Sequence, residues 1–168
     1  MRDKRFYVLA TFDHATNDYF KDMKAAIRAA GYVGTETPGL RPHITMGSFE
    51  GIAEEEFLRL TKDAAAAIGS FTVSFNHIGI FSGSKVLFAA PDADGAMLGL
   101  RERFGSTFSW TPHVTLLIDE PPAVHAAAKI ALSSFSPFTG IVESLQLYEF
   151  FPARHIATLR LRPVADKS

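Results

Sequence analysis

A tetrapeptide that occurs twice constrains this sequence more than anything else in it. Pro42-His43-Ile44-Thr45 and Pro112-His113-Val114-Thr115 stand 70 residues apart. Other landmarks keep nearly the same step. Phe71-Thr72 begins 28 residues past His43 and Phe138-Thr139 begins 25 past His113, while Lys85 and Arg154 lie 42 and 41 residues past their respective histidines. Three features at matching offsets indicate an internal duplication, so the fold has to accommodate two similar units that each carry one His-X-Thr. The 168 residues suit a single domain of two small lobes, since a domain typically takes roughly 150 residues.

Hydrophobic period counting fills in the units. Phe6–Phe12 is an aromatic and β-branched run that reads as a buried strand ending at Asp13. Residues 16–30 align Phe20, Met23, Ile27 and Ala30 on one helical face, with Thr16 at the N-cap and Gly31 past the end. A strand is expected at His43–Phe49, then a helix over 53–68 closed by Gly69. Phe71–Phe81 and Lys85–Ala90 form a hairpin through Ser82-Gly83-Ser84. A third helix starts near Asp92, with Met97, Leu100 and Phe104 in phase. Strand His113–Ile118 and helix Pro121–Phe135 follow, Pro121 suiting a first-turn position. Phe138–Phe151 and Arg154–Leu161 close the chain as a hairpin turning at Pro152-Ala153. The resulting order, β-α-β-α-β and then β-α-β-α-β-β, predicts a bilobal, duplicated α+β fold. Two antiparallel sheets face a central groove and the helices lie outside. The lobes cover approximately 5–84 and 85–162, with strand exchange between them allowed. Fifteen Phe against one Trp and four Tyr supply two cores.

Composition narrows the chemistry. There is no Cys, which excludes disulfides, zinc-thiolate sites, iron–sulfur clusters and thiol nucleophiles. Seventeen cationic and 18 anionic side chains leave a net charge of −1, so duplex DNA is not an expected partner, although a local basic pocket is compatible with it. The apolar run behind Arg2, Lys4 and Arg5 meets Asp13 after seven residues, too short for a secretory core or a span of about 20 residues. A soluble, cytoplasmic protein with no membrane partner is expected. Oligomeric state leaves no trace in the sequence.

At the start of a strand, residues i and i+2 project from the same face. His43 and Thr45 therefore point one way while Ile44 and Met46 point toward helices, and His113 and Thr115 repeat the arrangement against Val114 and Leu116. Two opposed imidazoles, each with a hydroxyl beside it, suit displacement at phosphorus, where attacking and leaving oxygens on opposite sides each need a proton moved. Near neutrality one imidazole is neutral as base and the other charged as acid. The hydroxyls donate to non-bridging oxygens. This scheme needs neither metal nor cofactor. A zinc site lacks a third ligand at a suitable spacing, and a serine hydrolase lacks its Gly-x-Ser-x-Gly elbow. Arg41, two residues before His43, is a candidate phosphate-side cation, and Phe81, Tyr148 and Phe150 are candidates to stack a base. Lys85 and Arg154 read as solvated strand ends. His77 and His155 lack a Thr two residues on, His14 and His125 read as exposed, and none of the four enters the mechanism.

The segments RPHITMGSF (41–49), HIGIFSGSKVLFAAP (77–91) and TPHVTLLI (111–118) resemble the 2H phosphoesterase superfamily, and within it the bacterial 2′-5′ RNA ligase–like branch. The resemblance runs over roughly residues 5–162. It implies a groove between two lobes and metal-independent cleavage of 2′,3′-cyclic phosphates or 2′-5′ linkages in nucleotides or RNA ends, with reverse 2′-5′ ligation in some members. The partner it implies is a small nucleotide or RNA-end substrate with one or two phosphates. Carried over, His43 is the proton donor to the leaving oxygen, His113 the base that activates water, and Thr45 and Thr115 hold the phosphate; the two His roles swap in the reverse direction. The alternative is a protein that binds nucleotides or RNA ends in the same groove without turnover.

Overall fold

The first apolar run forms β1 (Arg5–Phe12), which buries alternate side chains on both of its faces. A computed structural model describes residues 4–83, 85–105 and 109–163. After β1 come α1 (His14–Ala29), β2 (His43–Glu50), α2 (Glu54–Ala67), β3 (Phe71–Ile80) and β4 (Val86–Pro91), then α3 (Gly95–Glu102), β5 (Val114–Ile118), α4 (Pro121–Ser134), β6 (Phe138–Phe150) and β7 (Arg154–Arg160). The expected order of elements is present, and the differences lie at their ends. Asp13, not Thr16, caps α1: its side chain accepts from the Thr16 backbone N–H at 3.2 Å. Thr16 instead accepts the Ile141 N–H through its hydroxyl, which ties α1 to β6. Asp94 caps α3 by accepting from the Met97 N–H at 3.0 Å, so that helix starts at Gly95 rather than near Asp92. His113 precedes β5 instead of opening it. Of the hairpin tripeptide 82–84, Ser84 lies outside the described residues; the Phe81 N–H donates to the Val86 carbonyl to close the turn.

All strand pairings are antiparallel, in the order β1-β2-β5-β4-β3-β6-β7, and β1 also pairs with β6. The 13-residue β6 makes this possible. One of its edges pairs with β1 from Val142 to Phe150. Its other edge pairs first with β3, from Phe138 to Val142, and then with β7, from Ser144 to Glu149. Two four-stranded arrays, β2-β1-β6-β7 and β5-β4-β3-β6, therefore share β6 and meet again at the Ile44–Val114 pair of β2 and β5. The two expected sheets run together as one continuous sheet of seven strands.

The helices cover one face of this sheet. Phe6, Val8, Ala10 and Phe12 of β1 pack there with Ile44, Met46, Val114 and Leu116. The Phe supply divides in two. Phe12, Phe20, Phe75 and Phe138 form one ring cluster, with centroids 5.0–5.9 Å apart. Phe6, Phe49, Phe57 and Phe104 form the other. Each fully buried Phe contributes roughly 1.5–3 kcal/mol relative to exposure, so each half of the sheet has its own anchor. With the apolar side chains turned to the helices, β2 and β5 are left to present their polar alternates on the opposite face.

Candidate active site

The Ile44–Val114 pair sets the geometry of that face. Ile44 and Val114 are fully buried against the helices, so the residues on either side of each point the other way. Continuing the antiparallel register places His43 opposite Thr115 and Thr45 opposite His113. The two imidazoles thus stand diagonally on neighbouring strands, and each faces the hydroxyl-bearing residue of the other motif. Both residues of each motif are half-buried.

The two histidines are held alike. His43 Nδ1 lies 2.7 Å from the Arg41 carbonyl and His113 Nδ1 lies 2.8 Å from the Thr111 carbonyl. A carbonyl only accepts, so each Nδ1 carries the hydrogen, and Nε2 is the ring nitrogen left outside this contact in both. The proline between each histidine and its carbonyl partner is part of this shared turn. Burial holds His43 well below the usual histidine range, at about 4; the Arg41 carbonyl works against this, while the charges of His113 and Lys24 add to it. By itself His43 is therefore neutral at pH 7.

Aromatic side chains bracket His113. Phe81 meets its ring edge-on at 4.9 Å between centroids, and Phe88 lies 5.6 Å away and 4.4 Å from Phe81. Phe88 sits across β4–β5 from Thr115 and across β3–β4 from Gly79. A β-carbon at Gly79 would come within 2.6 Å of the Phe88 ring, so glycine is what lets this ring lie flat against β3 and reach His113. Behind the other motif, the Trp110 indole N–H donates to the Thr45 carbonyl at 2.9 Å. The Arg101 guanidinium lies over the Trp110 ring and donates to the Met46 carbonyl. These contacts tie the segment that leads into His113 to the strand that carries His43.

Of the residues singled out in the sequence, Arg41 lines a cavity of about 250 Å³ together with His43 and Thr115, and Phe81 packs on His113. Tyr148 does not join them. It pairs with Tyr7, stacks on Phe150 and meets His155 edge-on, with β1 lying between its strand and β2. Lys85 and Arg154 are exposed but paired, Lys85 with Glu120 and Arg154 with Glu54 and Glu149. His14, His77, His125 and His155 are exposed. Sequence reasoning passed over Phe88, Trp110 and Lys24. Trp110, the one tryptophan, stands three residues before His113, a position that could have drawn notice; Phe88 and Lys24 carry no local signal. Among the described residues no cluster of three or more His, Asp or Glu is placed to hold a metal ion, and no helix is long and apolar enough to cross a membrane.

The duplicated His-X-Thr motif thus sets two imidazoles, held alike, on one face of a shared sheet. The chain belongs to the 2′-5′ RNA ligase superfamily, whose family model matches residues 15–150. No protein of curated function matches the sequence. Solved structures share the fold. TT0787 of Thermus thermophilus superposes with a TM-score of 0.68 at 18% identity, covering 96% of this chain and 100% of its own. Escherichia coli LigT in its apo form gives 0.62 at 14% identity, covering 96% and 99%. LigT complexed with 3′-AMP gives 0.62 at 17% identity with the same coverage.

Proposed function

We propose that the protein is a metal-independent phosphodiesterase that opens 2′,3′-cyclic phosphates or cleaves 2′-5′ linkages in nucleotides or at RNA ends. The observation that carries this reading is the matched presentation of His43 Nε2 and His113 Nε2 on one face, each ring oriented by a carbonyl two residues earlier. In the hydrolytic direction His113 accepts a proton from water as the water oxygen bonds to phosphorus. The P–O3′ bond breaks, His43 donates its proton to O3′, and the product is a 2′-phosphate. Thr45 and Thr115 donate hydrogen bonds to the non-bridging oxygens. A 5′-hydroxyl in place of water gives a 2′-5′ linkage by the same steps, and cleavage of such a linkage runs them backward: His43 accepts the proton of the attacking 3′-hydroxyl and His113 donates to the departing O5′. The phosphate anion itself supplies the proton balance: its charge opposes the burial that keeps His43 neutral, so the donor gains its proton with the substrate. Phe81 and Phe88 exclude water from one side of His113 and offer an apolar edge to a base. That LigT has been solved with 3′-AMP, ATP and NADP+ supports a nucleotide-sized ligand in such a groove.

A product assay on a panel of 2′,3′-cyclic nucleotides and 2′-5′ dinucleotides tests the proposal. Wild-type protein should form 2′-phosphates in the presence of EDTA, and His43→Ala or His113→Ala should each lose about 10²–10⁴ in rate. Full activity in both variants on every substrate that wild type cleaves would overturn it. Tight binding of 2′-phosphates with no turnover of any substrate would make the protein a nucleotide-end binder.

A further inference from the structure

The cavity at His43 does not stop at the catalytic face. A second cavity of about 410 Å³ lies beside it along α1, and the two share Lys24, Glu36 and Arg41 in their walls. The outer cavity adds Lys21 and Arg28. Four cationic side chains and one carboxylate thus line the two neighbouring cavities, in a chain whose net charge is −1. Glu36 acts mainly as a clamp. Its carboxylate holds Lys24 at 3.0 Å and Arg28 at 2.8 Å, joining the 35–42 segment to α1, and those cations keep its pKa below the usual carboxylate range. The clamp neutralises one positive charge and leaves the others facing the cleft.

A cleft of this charge beside a phosphodiester site has a chemical reading. In any nucleoside with a 2′- or 2′,3′-phosphate, the next anionic group along the molecule is the phosphate on O5′. We propose that the cleft between α1 and residues 35–42 is a second phosphate subsite, in which Lys24, Lys21 and Arg41 bind the 5′-side phosphate of the nucleotide whose terminal phosphate lies between His43 and His113. The inference rests on the phosphodiesterase reading for the placement of the first phosphate. It deepens that reading by assigning the preferred ligand two phosphates. The 5′-side phosphate has two sources, the terminal phosphate of a mononucleotide or the internucleotide phosphate of an RNA end, and both present the same anion at the same position.

The test is equilibrium binding, which can be read whether or not the protein turns over. Adenosine 2′-phosphate, adenosine 2′,5′-bisphosphate and a diadenosine ending in a 2′-phosphate are titrated at low salt. One or both of the two-phosphate ligands should bind about tenfold tighter than adenosine 2′-phosphate, with the gain shrinking as salt rises. A gain for the bisphosphate alone identifies a nucleotide 5′-phosphate as the source, and a gain for the dinucleotide alone identifies an RNA end. In Lys21→Glu/Lys24→Gln, and partly in the exposed single variant Lys21→Glu, the ratio of affinities should fall to about one. Lys129→Glu, the same change of charge as Lys21→Glu but on exposed α4, should keep it. Equal affinity for all three ligands, or a gain that survives the double variant, would overturn the proposal. Cyclic-phosphate hydrolysis measured alongside separates the two readings: absence of turnover by the wild-type protein refutes the phosphodiesterase, and a wild-type affinity ratio of about one refutes only the second subsite.

Discussion

His43 differs from an ordinary histidine in one respect that reaches both stability and rate. Its pKa of about 4 means that between that value and about 6.5 the unfolded chain holds a proton the folded chain does not. The stability contributed by keeping this ring neutral is present above pH 6.5 and is lost as pH falls toward 4, by at most about 3 kcal/mol. Denaturant midpoints measured from pH 7 to 4 should show this decline, and His43→Asn should flatten it. A phosphate anion in the groove reverses the balance, so an NMR titration of the His43 ring should give a pKa at least about one unit higher with adenosine 2′-phosphate bound than without. An unchanged value would place the anion elsewhere. The donor role assigned to His43 has its own test. A diester with a p-nitrophenol leaving group needs no proton from an acid, so on that substrate His43→Ala should recover most of its lost rate while His113→Ala should not.

At the scale of elements, the site depends on how closely β3, β4 and β5 approach one another. Gly79 is the narrow point, because the Phe88 ring occupies the space of a side chain there. Gly79→Ala should push that ring toward His113, costing about 1–3 kcal/mol in stability and lowering kcat more than it changes KM. Adding Phe88→Leu should restore part of both losses, and thermal melts with steady-state kinetics on the two variants and their combination check the coupling. The same elements show which features were legible in the sequence. The His-X-Thr strands were, since the alternation that exposes i and i+2 is local and Ile44, Met46, Val114 and Leu116 carry the apolar half of the pattern. The caps at Asp13 and Asp94 lie within three residues of those expected. Asp13 was missed because Thr16, an equally good cap by type, has its hydroxyl engaged by Ile141, a partner that only the fold brings near. The crossed pairing of His43 with Thr115 was not readable either, because it follows from a single residue pair between strands far apart in sequence. Tyr148 shows the reverse case: an aromatic on a flanking strand, aligned by pattern with the groove, but with β1 between it and the histidines.

For the whole molecule, β6 carries a consequence for how the protein is made. On the ribosome β1 emerges first, yet it pairs along its full length with a strand that begins at Phe138. The second array likewise lacks a side until that strand arrives for β3. Until then β1 and β3 each present an unpaired edge, the form of surface that templates association with other chains. Contacts of such large sequence separation also form late, since the intervening chain must be ordered first. Translation that stops before residue 138 should therefore yield no phosphate-binding product and a strong tendency to aggregate, which sedimentation of a 1–137 chain would show. A nascent chain covers both open edges at once, with the same closing strand.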